Sequence, residues 1–332
     1  MFICYTASKV MSAKSDVLLS VVVPVYNEAG GLERFNKHLT EEVAKTAKNS
    51  YEIIYCDDGS HDNSSPIIKQ LAAKNPHIKL IRLPRNFGKE IAVTAGLHAA
   101  HGQAVITIDG DGQHPVELIP EFVSKWQTGA RVVVGVRTDN QNEGFVKRYG
   151  SKLFYRVFKR FTGLALKSGT SDFRLIDRSV QQEFNQLTEH NRVTRGLIDW
   201  LGYEQNYIEF KAKPRTSGQA GYSFKKLFKL SIDSIVSMTR SPLYISAYLG
   251  AVVLPLSFLV GIVMVVDAIV GDPLGLHATG SAYVVILILF LVGVLLVSQG
   301  IIGLYLSHIH TETQNRPLYV VDHQDSVGLD EN

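Results

Sequence analysis

The chain has 332 residues, 45% of them hydrophobic, with 34 Lys and Arg against 31 Asp and Glu for a formal net charge of +3. That length holds one sizeable α/β domain and an appendage, and so small a net charge gives no bulk electrostatic case for a nucleic-acid partner. The only cysteines, Cys4 and Cys56, exclude a disulfide framework and fit a reducing compartment.

Residues 1–16 mix Ser, Lys and Thr with few apolar side chains and lack the basic start and apolar run of a secretory signal. They are expected to form a loose tail. Leu18–Pro24 is then a continuous β-branched run, as in a strand buried on both faces. Leu32, Phe35, Leu39 and Val43 recur at helical spacing. Tyr51–Cys56, Ile78–Leu83, Ala104–Ile108 and Ala130–Val136 read as further strands. Pro66–Ala73, Glu90–Ala100 and Val116–Trp126 read as helices between them. Strands alternating with helices predict an α/β fold, a Rossmann-like, mostly parallel sheet with helices on both faces. Ligands of such sheets bind beyond the carboxyl ends of the strands. The polar clusters Tyr26–Glu28, Asp57–Ser60, Arg85–Lys89, Asp109–His114 and Arg137 follow those ends.

From Gly144 to Phe161 the pattern changes. Phe145, Tyr149, Leu153, Val157 and Phe161 share one helical face among Lys147, Arg148, Lys152, Arg156, Lys159 and Arg160. This face suits an anionic membrane surface and equally a solvated helix over an ordinary core. Ser223–Met238 repeats the pattern, with Phe224, Leu227, Phe228, Ile232, Ile235 and Val236 beside Lys225, Lys226 and Lys229, and is expected to lie in the membrane interface. Two apolar stretches follow, 243–270 and 281–306; the second carries no charge, and each is long enough to cross a bilayer. The first is preceded by Lys225, Lys226, Lys229 and Arg240, and the second is followed by His308, His310 and Arg316. The connection 271–280 has no Lys or Arg. The positive-inside rule puts both termini in the cytoplasm. The expected organisation is a catalytic domain over 17–222, an interfacial helix over 223–240, two transmembrane helices within 241–308 and a cytosolic tail over 309–332.

Several residues are equipped for chemistry. Asp109-Gly110-Asp111-Gly112-Gln113-His114 ends a buried strand, and two carboxylates two residues apart on a glycine turn can converge on a hard divalent cation. Mg²⁺ or Mn²⁺ there would neutralise charge on a departing diphosphate. The same residues also make an ordinary Asp-Gly turn. His114 stands either as a further ligand or as a helix-start residue before Pro115. Asp57 and Asp58 can accept hydrogen bonds from a ribose or a base, while Ser60 and Asp62 are good helix caps. Tyr26 can stack on a base and Glu28 can bind its polar edge, or both are turn residues. Lys89, Arg137, Arg192, Arg195 and Arg215 are candidate diphosphate partners, Arg215 in a flexible Pro214–Gly221 loop able to close over a donor. No G-x-G-x-x-G follows the first strand and no P-loop is present, which argues against a nicotinamide dehydrogenase and a P-loop NTPase.

Together these motifs resemble the inverting family 2 glycosyltransferases of the GT-A fold, and within them the polyprenyl-phosphate glycosyltransferases. The resemblance spans roughly 18–319. It rests on Pro24–Glu28, Asp57–Ser60, Arg85–Lys89, Asp109–Pro115, Ser171–Leu175, Asn191–Leu197 and Arg215 with Gly218. It implies that Asp109, Asp111 and Gln113 hold the metal, that Pro24, Tyr26, Glu28, Asp57 and Asp58 hold the nucleoside, and that Arg137 and Arg215 grip phosphates. Asp172 falls near the reacting centre. Ser171 stands where the family often has Gly, and Gln219-Ala220-Gly221-Tyr222 replaces its usual acidic and Lys-bearing stretch. The Gln-x-x-Arg-Trp motif of processive synthases is absent, so transfer of a single sugar is expected.

The expected activity is inverting transfer from a nucleotide sugar to polyprenyl (undecaprenyl) phosphate at the cytoplasmic face of the cell membrane. UDP-glucose is the expected donor, ahead of GDP-mannose and the UDP-N-acetylhexosamines. No nucleic-acid partner is expected, and a homo-oligomer is compatible with paired spans. The alternatives are transfer to a lipid hydroxyl and a non-catalytic sugar-nucleotide-binding membrane scaffold.

Overall fold

The computed structural model describes residues 17–138, 169–190, 192–211 and 280–329, with single helical positions between 252 and 270. The expected tail over 1–16, the basic helices around 144–161 and 223–238, and Arg215 with its loop lie outside the described residues. So does most of the expected span over 243–270.

The chain divides into two compact units. The first takes in the described residues from 17 to 211 together with 316–329; the second holds the C-terminal helix.

In chain order the first unit runs β1 (Leu19–Val25), α1 (Ala29–Ala47), β2 (Tyr51–Asp57), α2 (Ser64–Lys74), β3 (Ile78–Arg82), α3 (Lys89–Ala99) and β4 (Ala104–Thr107). A short 3₁₀ turn, Val116–Leu118, leads into α4 (Ile119–Gln127) and β5 (Val132–Arg137). Then come β6 (Thr170–Asp177), α5 (Arg178–Asn185), α6 (Thr194–Trp200) and β7 (Gln205–Phe210).

The strands form one seven-stranded sheet in the order β3-β2-β1-β4-β6-β5-β7. Every neighbouring pair is parallel except the two made by β6, which runs antiparallel to β4 and to β5. The mostly parallel sheet therefore matches expectation. The periodicity did not reveal β6, because Asp172 and Arg174 interrupt its apolar pattern, nor β7. The insertion of β6 separates β4 from β5, and its reversed direction carries Asp172, at its amino end, to the carboxyl edge of β4. The Thr107 hydroxyl fixes this register by donating to the Asp172 carbonyl at 2.6 Å.

Alternation along the strands sorts side chains to two faces. Leu19, Val21, Val23 and Val25 of β1 join Leu32, Phe35 and Leu39 of α1 and Phe122 of α4 in one core. Val22, Ile54 and Cys56 face the other way, into a core completed by Ala92 and Ala95 of α3, Phe184 of α5 and Leu197 of α6. Helices thus cover both faces of the sheet.

The described part of the C-terminal segment, 316–329, belongs to the sheet unit. Leu80 of β3 and Val327 exchange both backbone hydrogen bonds at 2.9 Å, and Asp322 N–H donates to Arg82 O at 2.8 Å. Asp325 pairs with Lys69 at 2.5 Å and with Arg82 at 2.6 Å. Tyr319 hydroxyl lies 3.0 Å from Nδ1 of His98 on α3. The segment covers part of an edge strand that would otherwise present unpaired backbone groups.

In the second unit, α7 (Gly280–Thr313) is one long helix. The most apolar 18-residue window of its Phe290–Thr313 stretch has a mean hydropathy of 2.0, and this is the one helix among the described residues long and apolar enough to cross a membrane.

At Gly96 α3 packs directly on Val22 and Cys56 of the sheet. A Cβ there would lie 2.3 Å from Cγ1 of Val22 and 2.7 Å from Sγ of Cys56. Gly96→Val is therefore expected to destabilise the fold by about 1–3 kcal/mol through overpacking, read as a lowered midpoint of thermal unfolding. An unchanged midpoint would show that α3 shifts freely.

Candidate active site

The carboxyl ends of β1 and β4, with the amino end of β6, hold a cluster of opposed charges. Asp109 stands just past β4, and Asp172 sits near the start of β6. Between them reaches Lys89, the first residue of α3. Its ammonium lies 2.7 Å from Oδ1 and 2.8 Å from Oδ2 of Asp109, and 2.7 Å from Oδ2 of Asp172. Arg195 of α6 approaches Asp172 from the other side, Nε to Oδ1 at 3.1 Å. Burial alone would push the Asp172 carboxyl up; Lys89, then Arg195 and Arg174, overrides it and holds the group well below the usual carboxylate range. Asp172 is a fixed anion at neutral pH.

Pro24, Lys89, Glu90, Thr107, Asp109, Asp172, Arg174, Thr194 and Arg195 line one cavity together with Val93 and Ile108. The structure thus brings together five residues singled out from the sequence: Pro24, Lys89, Asp109, Asp172 and Arg195. Tyr26, Glu28, Asp57, Asp58, Asp111, Gln113 and Arg137 are not among the lining side chains. Tyr26 is 42% exposed beyond β1. Arg137 is exposed at the end of β5, and its backbone N–H donates to Gly169 O at 2.8 Å.

Asp57 and Asp58 serve backbone geometry. Asp58 is 3% exposed and its carboxylate accepts from Phe87 N–H at 2.7 Å and Gly88 N–H at 3.0 Å. That holds the turn which delivers Lys89. Asp57 Oδ1 accepts from Ser60 N–H at 3.0 Å, while its buried Oδ2 has no partner. Asn27, in the left-handed region at φ 56°, accepts from His61 N–H and donates its own N–H to Ser60 Oγ. Glu28 N–H donates to Ser64 Oγ at 2.9 Å. The loops after β1 and β2 are stitched to each other.

Two readings change. Arg192, a candidate diphosphate partner, is 4% exposed; its guanidinium donates to Leu187 O at 2.9 Å and packs 4.7 Å from the Phe184 ring centre. It is a core residue, because α5 and α6 close over it. Arg174, Glu90 and Thr194 line the cavity without having been singled out. Arg174 is 2% exposed, pairs with Asp199 at 3.2 Å and backs Asp172. Glu90 accepts from Thr194 N–H at 2.8 Å, tying the start of α3 to the start of α6. Arg174 and Thr194 lie within motifs that carry the family resemblance, but it is the insertion of β6 that brings Arg174 to this cavity.

The oxygen-rich set of Asp109, Asp111 and the Gln113 amide suits a hard divalent cation. Asp111 Oδ1 accepts from Gln113 N–H at 3.0 Å, which closes the turn. No group of three or more His, Cys, Asp or Glu converges on one point among the described residues, so amide and donor phosphate oxygens would have to complete the shell. His114 is an inward residue: its ring lies 5.6 Å from those of Phe173 and Phe210, and Nδ1 is 4.0 Å from Asp109. Burial keeps its imidazole below its ordinary pKa.

A cluster of opposed charges beyond the strand ends of an α/β sheet stands where sheets of this kind bind their ligands. The family model Glycosyl transferase family 2 matches residues 20–184. An uncharacterized glycosyltransferase of Synechocystis is 41% identical over 312 residues, 94% of this chain and 96% of the relative. The uncharacterized glycosyltransferase YkcC of Bacillus subtilis is 37% identical over 311 residues, 94% of each. The bactoprenol glucosyl transferase of Shigella phage SfII is 36% identical over 304 residues, 91% of this chain and 97% of the relative. The chain belongs to glycosyl transferase family 2.

The turn that aims Lys89 depends on Gly59. At φ 69°, a Cβ there would lie 2.5 Å from the carbonyl carbon of Arg85 and 2.9 Å from Asn86 N. Gly59→Ala is expected to lower glycosyl transfer by about tenfold or more through misplacement of Lys89, measured as turnover at saturating donor. Wild-type turnover would show that the turn tolerates displacement.

Proposed function

We propose that this protein transfers a single sugar, glucose from UDP-glucose, onto a polyprenyl phosphate such as undecaprenyl phosphate at the cytoplasmic face of the cell membrane. The observation that carries this reading is the Lys89–Asp109–Asp172–Arg195 cluster on the carboxyl edge of the sheet. Relatives named bactoprenol glucosyl transferase, at 34–36% identity over more than 90% of the chain, support the acceptor and the sugar.

The reaction is an in-line displacement at the anomeric carbon with inversion. The acceptor oxygen belongs to a phosphate monoester whose second pKa is about 6, so it arrives as an anion and needs no strong base. Asp172, held ionised by Lys89 and Arg195, positions the reacting groups. Mg²⁺ or Mn²⁺ bound by Asp109, Asp111 and Gln113 would stabilise the charge of the departing diphosphate. Lys89, Arg137 and Arg215 supply further positive charge to phosphates. Tyr26, Glu28, Pro24, Asp57 and Asp58 shape the nucleoside end, the last two through the loops they hold.

The membrane scheme follows from the acceptor. Its lipid tail stays in the bilayer, so the catalytic domain over 17–222 works at headgroup depth, held by the interfacial helix over 223–240 and by spans near 243–270 and 281–306. Phe290, Leu295, Val297 and Leu306 of α7 are each more than half exposed, a surface suited to lipid. Both termini are cytoplasmic.

Asp109→Asn and Asp111→Asn are each expected to reduce transfer to undecaprenyl phosphate by about hundredfold or more; full activity in both would remove the metal from the reaction. The product should release its sugar in mild acid, as a glycosyl phosphate does, and an acid-stable product would mark a hydroxyl acceptor. Because Asp172 is ionised far below neutrality, loss of activity on acidification should track the acceptor phosphate near pH 6. Asp172→Asn should then lower turnover without moving that limb; a displaced limb would assign the titration to Asp172.

A further inference from the structure

The position of Lys89 has a consequence for cation binding. Its ammonium contacts both oxygens of Asp109, at 2.7 and 2.8 Å, and one of Asp172, at 2.7 Å. The backbone that delivers it is fixed by the Asp58 carboxylate through Phe87 and Gly88 N–H, so the placement is built in at the start of α3. Asp109 is also the first of the two carboxylates of the metal motif. An ammonium bonded to both oxygens of a carboxylate occupies the side from which a divalent cation would approach, and like charges a few ångströms apart repel strongly at partial burial. The side chains are partly exposed, Lys89 at 39%, Asp109 at 24% and Asp172 at 25%, so a hydrated ion has access. Asp172 does not depend on Lys89 alone, since Arg195 Nε holds its other oxygen at 3.1 Å. The contact to Asp109 is thus the one that can be given up while Asp172 stays neutralised.

We infer that Lys89 is an internal counter-ion of the divalent-cation site: it neutralises Asp109 and Asp172 in the unloaded enzyme, and cation binding at Asp109 displaces it. The inference rests on the metal reading under the proposed function. It accounts for how two carboxylates stay charged and close in the absence of substrate, and it gives the cation an entry cost that a nucleotide diphosphate, by accepting the freed ammonium, offsets. Cation and donor then load together. The arrangement would disfavour a tightly held ion without a donor.

The test is Mn²⁺ binding to the nucleotide-free, full-length protein in detergent, measured by the electron paramagnetic resonance signal of unbound Mn²⁺. Lys89→Met and Lys89→Gln remove the charge, and Lys89→Arg keeps it. Both neutral variants should bind Mn²⁺ about tenfold more tightly than wild type, as expected for removal of one nearby positive charge behind partial screening, with Lys89→Arg close to wild type. UDP should strengthen Mn²⁺ binding more in wild type than in Lys89→Met. Equal or weaker Mn²⁺ binding in both neutral variants overturns the exchange and leaves the metal reading standing. Absence of Mn²⁺ binding from every form removes the metal reading and the exchange with it, and makes Lys89 the resident cation.

Discussion

Two carboxylates at the edge of a sheet, Asp109 and Asp172, share one ammonium while partly withdrawn from water, and that pairing orders the catalytic unit. An isolated carboxylate moved out of solvent raises its pKa or finds a partner. Here the partners are Lys89 from α3 and Arg195 from α6, backed by the buried Arg174. The elements that carry these cations are in turn fixed by other polar contacts. Asp58 holds the turn before α3, and Glu90 ties the start of α3 to the start of α6. A disturbance of the loops after β2 is therefore felt at the cavity, although no side chain of β2 lines it.

The topology makes this possible. In a purely parallel sheet, all residues at the carboxyl edge come from strand ends. The single antiparallel strand β6 contributes instead its beginning, and so Asp172 meets Asp109 across the β4–β6 pair. The same strand sends the chain into α5 and α6, whose packing on α3 closes the second core. One reversed strand thus supplies a cavity-lining carboxylate and the scaffold for its counter-ions.

The C-terminal segment adds a constraint of another kind. Residues 316–329 follow α7 directly and end against the β3 edge through the Leu80–Val327 pairing and the Asp325 ion pairs. Exposed pairs of this type contribute little each, but the segment also packs Tyr319, Val321 and Leu329 against the core that contains α3. The chain is therefore anchored to the sheet again after its apolar helix.

The sequence by itself determined much of this protein. Strands β1 to β5 and the helices between them were legible because their apolar periodicity reports burial on one or both faces, a local property of the chain. Asp109 and Lys89 were legible for the same reason, since they follow strands whose ends could be read, and Pro24 through the motif that carries the family resemblance. Family membership was carried by short motifs in fixed order, which the matched relatives bear out. What tertiary structure alone decided was who meets whom. The place of β6 between β4 and β5 is a long-range pairing with no local signature, and it converts Asp172, Arg174, Thr194 and Arg195 from scattered polar residues into one electrostatic cluster. Tertiary structure also made Asp58 the anchor of the turn before α3 and Arg192 a core side chain. Hydrogen-bond partners depend on which backbone groups a fold leaves unpaired, and that is settled only when the chain has closed.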